Sequence, residues 1–422
     1  MCRIAVVGSV GLAVACVCGA VAPMEWTPVQ TNQIARWKAE HRAPGGVAVD
    51  PATRTVRFLA EATGVNKEEP IEFFAIGPLS DRAYESFCVT VASPAAIAAA
   101  LESVGVPRGV PPDPLRARMW PQGEKVTMQV RLCEPNARPQ AASAWIVDGA
   151  ADEAGHALKT PLSYTGGTRE ADGSLVAATN LPCAVLALYR HGPSLLALDG
   201  QYDQSSTYGR FRSACAMTRG ALLEVILSWD GKRRVTDRTV TVSAGQAGEV
   251  LASLKKEASD GMDVYARVAW APDVTVAQAA VLAQAFDALD GKGLKMNGTA
   301  PDAFFYRAFL PDPSWRTRTR RLFQPFEIHL SEKGERAFTF VEEDWSGEGS
   351  DPVLRPRTTA FQDWTELPAL IAATGDQGSK VSVAFLFAPP DTPVVRLAPV
   401  VRTLSPRIDT FYVFAGEAEE VR

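Results

Sequence analysis

The first clear pattern along the chain is two alternating runs around a turn. In GGVAVDPATRTVRFLAEA, Val47 and Val49 alternate with other residues, Asp50-Pro51 supplies turn chemistry, and Val56 and Phe58 resume the alternation. That grammar predicts a β-hairpin. IEFFAIG and SFCVTVA supply two more strands, on either side of the polar stretch SDRAYE. The period then changes. In SPAAIAAALESVGV, Ile97, Leu101 and Val104 recur at helical spacing. Ser93 is a natural N-cap, Pro94 takes the first helical position, and Gly105 suits the left-handed conformation that ends a helix. Beyond the proline-rich VPRGVPPDPLRA, the runs VTMQVRLC, SAWIVDG, SLVAATN and CAVLALY read as strands separated by turn residues. Residues 43–240 are therefore expected to form a β-rich domain with one capped helix and a polar insertion near 150–175. The polar residues before it read as a loose arm or a short helix.

The C-terminal part repeats itself. DVYARVAWAPDVTVAQAAVLAQAFDALDGKGLKMNG and KVSVAFLFAPPDTPVVRLAPVVRTLSPRIDTFYVFAG align with Val264 on Val381, Trp270 on Phe387 and Ala271-Pro272 on Ala388-Pro389. Each reads strand, Ala-Pro turn, helix, strand, and each follows an amphipathic helix. A unit this short does not bury both faces alone, so the two copies are expected to pack together. The expected fold class is α+β: the β-rich N-terminal domain, then two packed βαβαβ-like α/β repeats at 241–300 and 356–422. A strand-rich aromatic connector fills 301–355.

Composition changes this picture little. The 422 residues are 46% hydrophobic and 22% charged, enough for more than one core. The net charge of −5 argues against a general nucleic-acid binder. The leader changes it more. MCRIAVVGSVGLAVACVCGAVAP carries Arg3, an apolar run and a small-residue end, the pattern of a signal peptide over residues 1–22. An uncut anchor and lipid attachment at Cys16 are the alternatives, and all three imply export to the periplasm or cell envelope. Beyond the leader, Cys88, Cys133, Cys183 and Cys215 are an even set in an exported chain. They leave open up to two disulfides or four buried thiols. The glycine pattern AVVGSVGLA lacks the third glycine and a following βαβ unit, so it is not a nucleotide loop.

Candidate chemistry is sparse. Glu85 in Tyr84-Glu85-Ser86 is a candidate general base. Read as strand, that stretch sends Glu85 and Ser86 to opposite faces and leaves Glu85 without a placed partner. Asp199 and Asp203, in LALDGQYDQSSTYGRF, are two carboxylates among hydroxyls, suited to acid–base work or Ca²⁺, although the EF-hand spacing is not met. None of His41, His156, His191 and His329 lies within four residues of another, so no helical metal pair exists. Ser253-Leu-Lys-Lys256 fits Ser-x-x-Lys without its partner motifs and reads as a solvated helix face. RTRTRR, residues 316–321, reads as edge protection or a patch for an anionic polymer.

The order of features from VAVDPATRTVRF through EPIEFFAIG, YES and SPAAIAAALESVGV to GSLVAATN, AVLALY and LLALDG resembles the YdjY-type domain. That family is found in exported bacterial proteins, and the resemblance implies no activity. It commonly carries His-Glu-Ser where this chain has Tyr84-Glu85-Ser86, so a histidine-centred site is not implied here. Each C-terminal unit is similar in hydrophobic pattern to the periplasmic domain of ExbD/TolR-type proteins, with Asp273 and Asp391 near the aspartate that ends the first strand. This resemblance implies a module for protein or cell-wall contact. The sequence thus leads to the expectation of an exported envelope protein, binding or scaffolding without catalysis or cofactor, its partner a protein or a wall polymer. The alternatives are an envelope hydrolase with its site at Glu85 and Asp199 or Asp203, and a redox or metal carrier using the four cysteines.

Overall fold

A computed structural model describes residues 25–416 apart from 114–117, 150–154, 179–182, 203, 260, 299–303, 312–324, 345–352, 376–380 and 409. The leader, Asp203 and the basic run at 316–321 lie outside the described residues. The fold is mixed α+β, with strands dominant.

The chain enters through α1 (Pro28–Glu40), fixed by a capping box in which Thr27 and Gln30 satisfy each other's backbone donors. The hairpin foreseen at Val47 forms from β1 (Val47–Asp50) and β2 (Thr55–Ala62), with Asp50 opposite Thr55. The Asp50 carboxylate accepts from the Ala52 and Thr53 amides and holds the turn. Then come β3 (Phe73–Ile76), β4 (Ser86–Thr90), α2 (Pro94–Ser103), β5 (Lys125–Leu132) and β6 (Gln140–Ala141). β7 (Ile146–Asp148), β8 (His156–Ala157), β9 (Leu162–Tyr164), β10 (Ala184–Ala187) and β11 (Leu196–Leu198) follow. The short α3 (Gln204–Thr207), β12 (Phe211–Ser213) and β13 (Leu222–Ser228) complete the N-terminal part.

The strand pairings close on themselves. In order β2-β13-β5-β9-β11-β10-β3-β4, each strand bonds the next, and β4 returns to β2. The closure works because β2 divides one edge, giving Thr55–Phe58 to β1 and Ala60–Ala62 to β4. A closed sheet has no free edge there. Val56, Phe58, Val130, Val225 and Leu227 share one buried core with Ile97, Leu101 and Val104 of α2. The Ser93 hydroxyl accepts from the Ala96 amide, and Gly105 takes φ +91° just past the helix. Across the sheet, Ile34 and Trp37 of α1 cover Leu59 and Leu222.

The C-terminal part holds two further sheets. β14 (Val235–Val242), α4 (Ala247–Ser259), β15 (Asp263–Trp270), α5 (Val276–Leu289) and β16 (Leu294–Asn297) form an all-parallel three-stranded sheet in the order β14-β15-β16. β14 begins before residue 241 because its pairing with β15 runs from Val235. Most of its side chains face water, so it showed no apolar alternation. The second sheet contains β17 (Phe326–Leu330), the antiparallel hairpin β18 (Arg336–Asp344) and β19 (Val353–Phe361), then α6 (Leu367–Ala372), β20 (Val383–Ala388), α7 (Ala398–Leu404) and β21 (Thr410–Ala415). Its order is β19-β18-β17-β20-β21, with β17, β20 and β21 parallel.

The two sheets share one core. Their Ala-Pro loops also bond each other. The Val276 amide donates to Thr392 O at 2.9 Å, the Ala277 amide to Pro390 O at 3.0 Å, and the Val394 amide to Val274 O at 2.9 Å.

Candidate functional site

Glu85 does not sit on a strand. Ala83–Glu85 is a single 3₁₀ turn and β4 starts only at Ser86, so the strand alternation expected for this stretch does not apply. The turn forms because the Ser86 hydroxyl donates back to Arg82 O and the Glu85 amide to the same carbonyl. It leaves Tyr84 exposed and tucks Glu85 beside Arg82, whose Nη1 donates to Glu85 Oε1 at 3.0 Å and to Tyr84 Oη at 2.9 Å.

Around this ion pair the sheet gathers groups from distant sequence. The Glu72 amide donates to Glu85 O, and Glu72 O accepts from the Leu188 amide. The Glu72 carboxylate accepts from Gln204 at 2.9 Å. Burial pushes the Glu72 carboxyl up; the Gln204 hydrogen bond opposes this and the Glu85 charge adds to it. Phe73, Tyr189 and His191 pack edge to face, with centroids 5.6–5.9 Å apart. Burial, with the neighbouring carboxylates, raises the Tyr189 phenol to about 12. Burial, then the Arg82 cation, lowers the His191 imidazole to about 4, so the ring is neutral at pH 7. Its Nδ1 is sealed from solvent with no hydrogen-bond partner.

Asp199 belongs to a different place. It follows β11 and lies in a four-charge cluster joining the closed sheet to the β14–β16 sheet. Lys295 Nζ lies 2.7 Å from both Asp199 oxygens, and Lys125 Nζ lies 3.0 Å from Asp199 Oδ2. Asp263 completes the cluster, at 3.0 Å from each lysine. Burial pushes the Asp263 carboxyl up, but the two ammoniums outweigh it and hold the group below its usual range. Burial pushes Lys125 down, but Asp199 and Asp263 outweigh it and raise the ammonium above its ordinary value. Lys125 also donates to Ser163 Oγ at 2.8 Å, yet Ser163 is fully buried and a protonated lysine is no base, so the pair is not a catalytic dyad. Both Asp199 oxygens face lysine ammonium groups rather than open space for Ca²⁺. Among the described residues no group of three or more metal-ligating side chains occurs. Beside this cluster, the buried Asp290 accepts from Trp120 Nε1 and Gln201 Nε2, so the same seam is tied twice.

The remaining sequence candidates resolve simply. Ser253 and Lys256 are exposed on α4. No two of Cys88, Cys133, Cys183 and Cys215 lie at disulfide distance. Burial raises the Cys133 thiol to about 12, which makes it a poor nucleophile or ligand at neutral pH.

A third feature had no local signal in the sequence. At the carboxyl ends of β17 and β20 lies a groove of ≈ 740 Å³. One wall is the turn after β17 with Glu332 and Arg336, and the other is the Pro389–Pro393 loop with Asp391. Trp364, Arg396 and Pro399 complete the lining. The Arg336 guanidinium stacks over the Trp364 ring at 4.8 Å and donates to Gln362 O. The groove arises from topology. From β17 the chain passes to β18 and β19 on one side, then returns to β20 and β21 on the other. Such a reversal parts the loops at the carboxyl ends of the strands and leaves a crevice. The β14-β15-β16 sheet is laid down in one direction and has no such reversal.

No family model, curated protein or solved structure matches the chain.

Proposed function

We propose that the protein is an exported cell-envelope component that binds or scaffolds, its partner a protein or a wall polymer, and that it performs no catalysis of its own. Export rests on the leader at residues 1–22. The non-catalytic reading rests above all on one observation: each described carboxylate that the sequence offered for acid–base chemistry is held by cations. Glu85 is paired with Arg82, and Asp199 with Lys125 and Lys295. A general base needs a lone pair free to take a proton near the working pH. The two C-terminal units are proposed to be copies of one βαβαβ-like module, which their parallel three-strand runs and mutually bonded Ala-Pro loops support. The YdjY-type and ExbD/TolR-type resemblances belong to the same proposal. The test is retention of the purified chain on the native envelope fraction. Glu85→Ala should leave both the fold and the retention intact, and loss of retention in a folded Glu85→Ala protein would overturn the reading.

One observation favours an envelope hydrolase instead: the Glu72 carboxyl, raised by burial, lies beside a second carboxyl group, that of Glu85, as two carboxyls in an acid–base site would. Release of dye from labelled envelope material by the wild type, abolished by Glu72→Gln, would establish that reading and displace the first.

A further inference from the structure

We propose that the groove at the carboxyl ends of β17 and β20 is a binding site for a neutral oligosaccharide. The groove assignment stands on its lining; that the glycan is an envelope component rests on the function proposed above.

The charge of the lining selects against ionic polymers. Arg336 and Arg396 oppose Glu332 and Asp391 in number, and none of the four forms an ion pair among the described residues. A polyanion would meet two carboxylates and a polycation two guanidiniums, each at a cost in repulsion and desolvation. A sugar hydroxyl both donates and accepts. It suits carboxylates and guanidiniums arrayed together. The apolar part of the lining is the ring carbons of Pro389, Pro390, Pro393 and Pro399, C–H surfaces that can pack against the C–H faces of a pyranose, while Trp364 lies beneath the Arg336 guanidinium and holds it in the wall. A pocket combining apolar walls with a few converging polar groups is the usual form of a small-ligand site.

The groove is also preorganised. Its proline loop is clamped from behind by the backbone bonds from Val276 and Ala277, and Val394 is bonded to Val274. On the other wall, Arg336 is fixed by Gln362 O and the Trp364 ring. Groups held in place before binding lose less entropy when the ligand arrives. The volume of ≈ 740 Å³ fits a short oligosaccharide rather than a single small ion.

The test is calorimetric titration of the full chain with chitotetraose, cellotetraose and maltotetraose, with polyglutamate and a proline-rich decapeptide run alongside. At least one tetrasaccharide should bind with a Kd of roughly 1 mM or tighter. Trp364→Ala should weaken it by about tenfold or more, and Asp391→Asn should do likewise. Because Trp364 also packs on Phe361, the exposed Asp391→Asn change keeps the test sound if Trp364→Ala misfolds. Tyr208→Ala, at an exposed site elsewhere, should bind as the wild type does. Absence of tetrasaccharide binding, binding unchanged in Asp391→Asn, or binding of polyglutamate or the decapeptide alone would overturn the proposal. Retention of the wild type on the envelope fraction without tetrasaccharide binding would keep the broader function and still overturn this one.

Discussion

Replacing Asp199 by asparagine tests whether this carboxylate is a structural clamp. The wild-type cluster sets two lysines against two carboxylates, with burial and then the neighbouring Lys125 lowering Lys295 from its ordinary value. Lys295 is 6% exposed and Asp199 11%, so the charges are largely out of water. At an effective dielectric of about 20, one pair at these separations represents about 6 kcal/mol of attraction, much of it offset by desolvation of both ions. The substitution removes that attraction but leaves both lysines desolvated with one carboxylate between them. Breaking a buried pair in this way typically costs about 3–5 kcal/mol. With a urea m-value of about 3 kcal/mol/M, the midpoint of the affected transition should fall by about 1–1.7 M. Glu40→Gln, which breaks the exposed Arg36–Glu40 pair, should cost under about 0.5 kcal/mol in the same assay. Asp199→Asn/Lys295→Met, which sets one lysine against one carboxylate, should recover about half of the loss or more. A single variant within about 1 kcal/mol of the wild type, or a double variant no better than the single, would refute the clamp.

Three other outcomes follow from local geometry. His191 is depressed from 6.5 to about 4, so between these values the unfolded chain binds the proton that the folded chain refuses. Stability should therefore fall as pH drops from about 6.5 to about 4, and His191→Phe should flatten that slope in urea titrations at stepped pH. A Cβ on Gly123 would lie 2.1 Å from the Tyr164 carbonyl, a backbone atom with no freedom to withdraw, so Gly123→Ala should destabilise by about 1–3 kcal/mol or more in thermal melts. Alkylation in non-reducing denaturant should label Cys88, Cys133, Cys183 and Cys215 alike, whereas in native buffer Cys88, with no exposed surface, should stay unlabelled by mass spectrometry.

What the sequence made legible was local. The Ser93 cap, Pro94 and Gly105 bracket α2 because capping is decided by a few adjacent residues. The Val47 hairpin was readable for the same reason. The closure of the sheet was not, since it depends on β2 sharing an edge between β1 and β4, a matter of register rather than composition. Glu85 was misplaced by one structural class. Alternation assumes extended backbone, and the Arg82 carbonyl instead gathers a 3₁₀ turn beneath it. The sites were least visible. Lys125, Asp199, Asp263 and Lys295 come from four separate elements, and no spacing links them. Glu72 and His191 meet around Arg82 only because β3 pairs with β10. The groove follows from a reversal in strand order, which hydrophobic periodicity does not encode.

The chain is proposed to work by binding through its C-terminal groove and not by chemistry at Glu85. Co-sedimentation with the native envelope fraction, run on wild type, Glu85→Ala and Asp391→Asn, compares the two directly. Wild type and Glu85→Ala should sediment alike while Asp391→Asn stays in solution; loss of sedimentation in Glu85→Ala with Asp391→Asn unaffected would place the function at Glu85 and not in the groove.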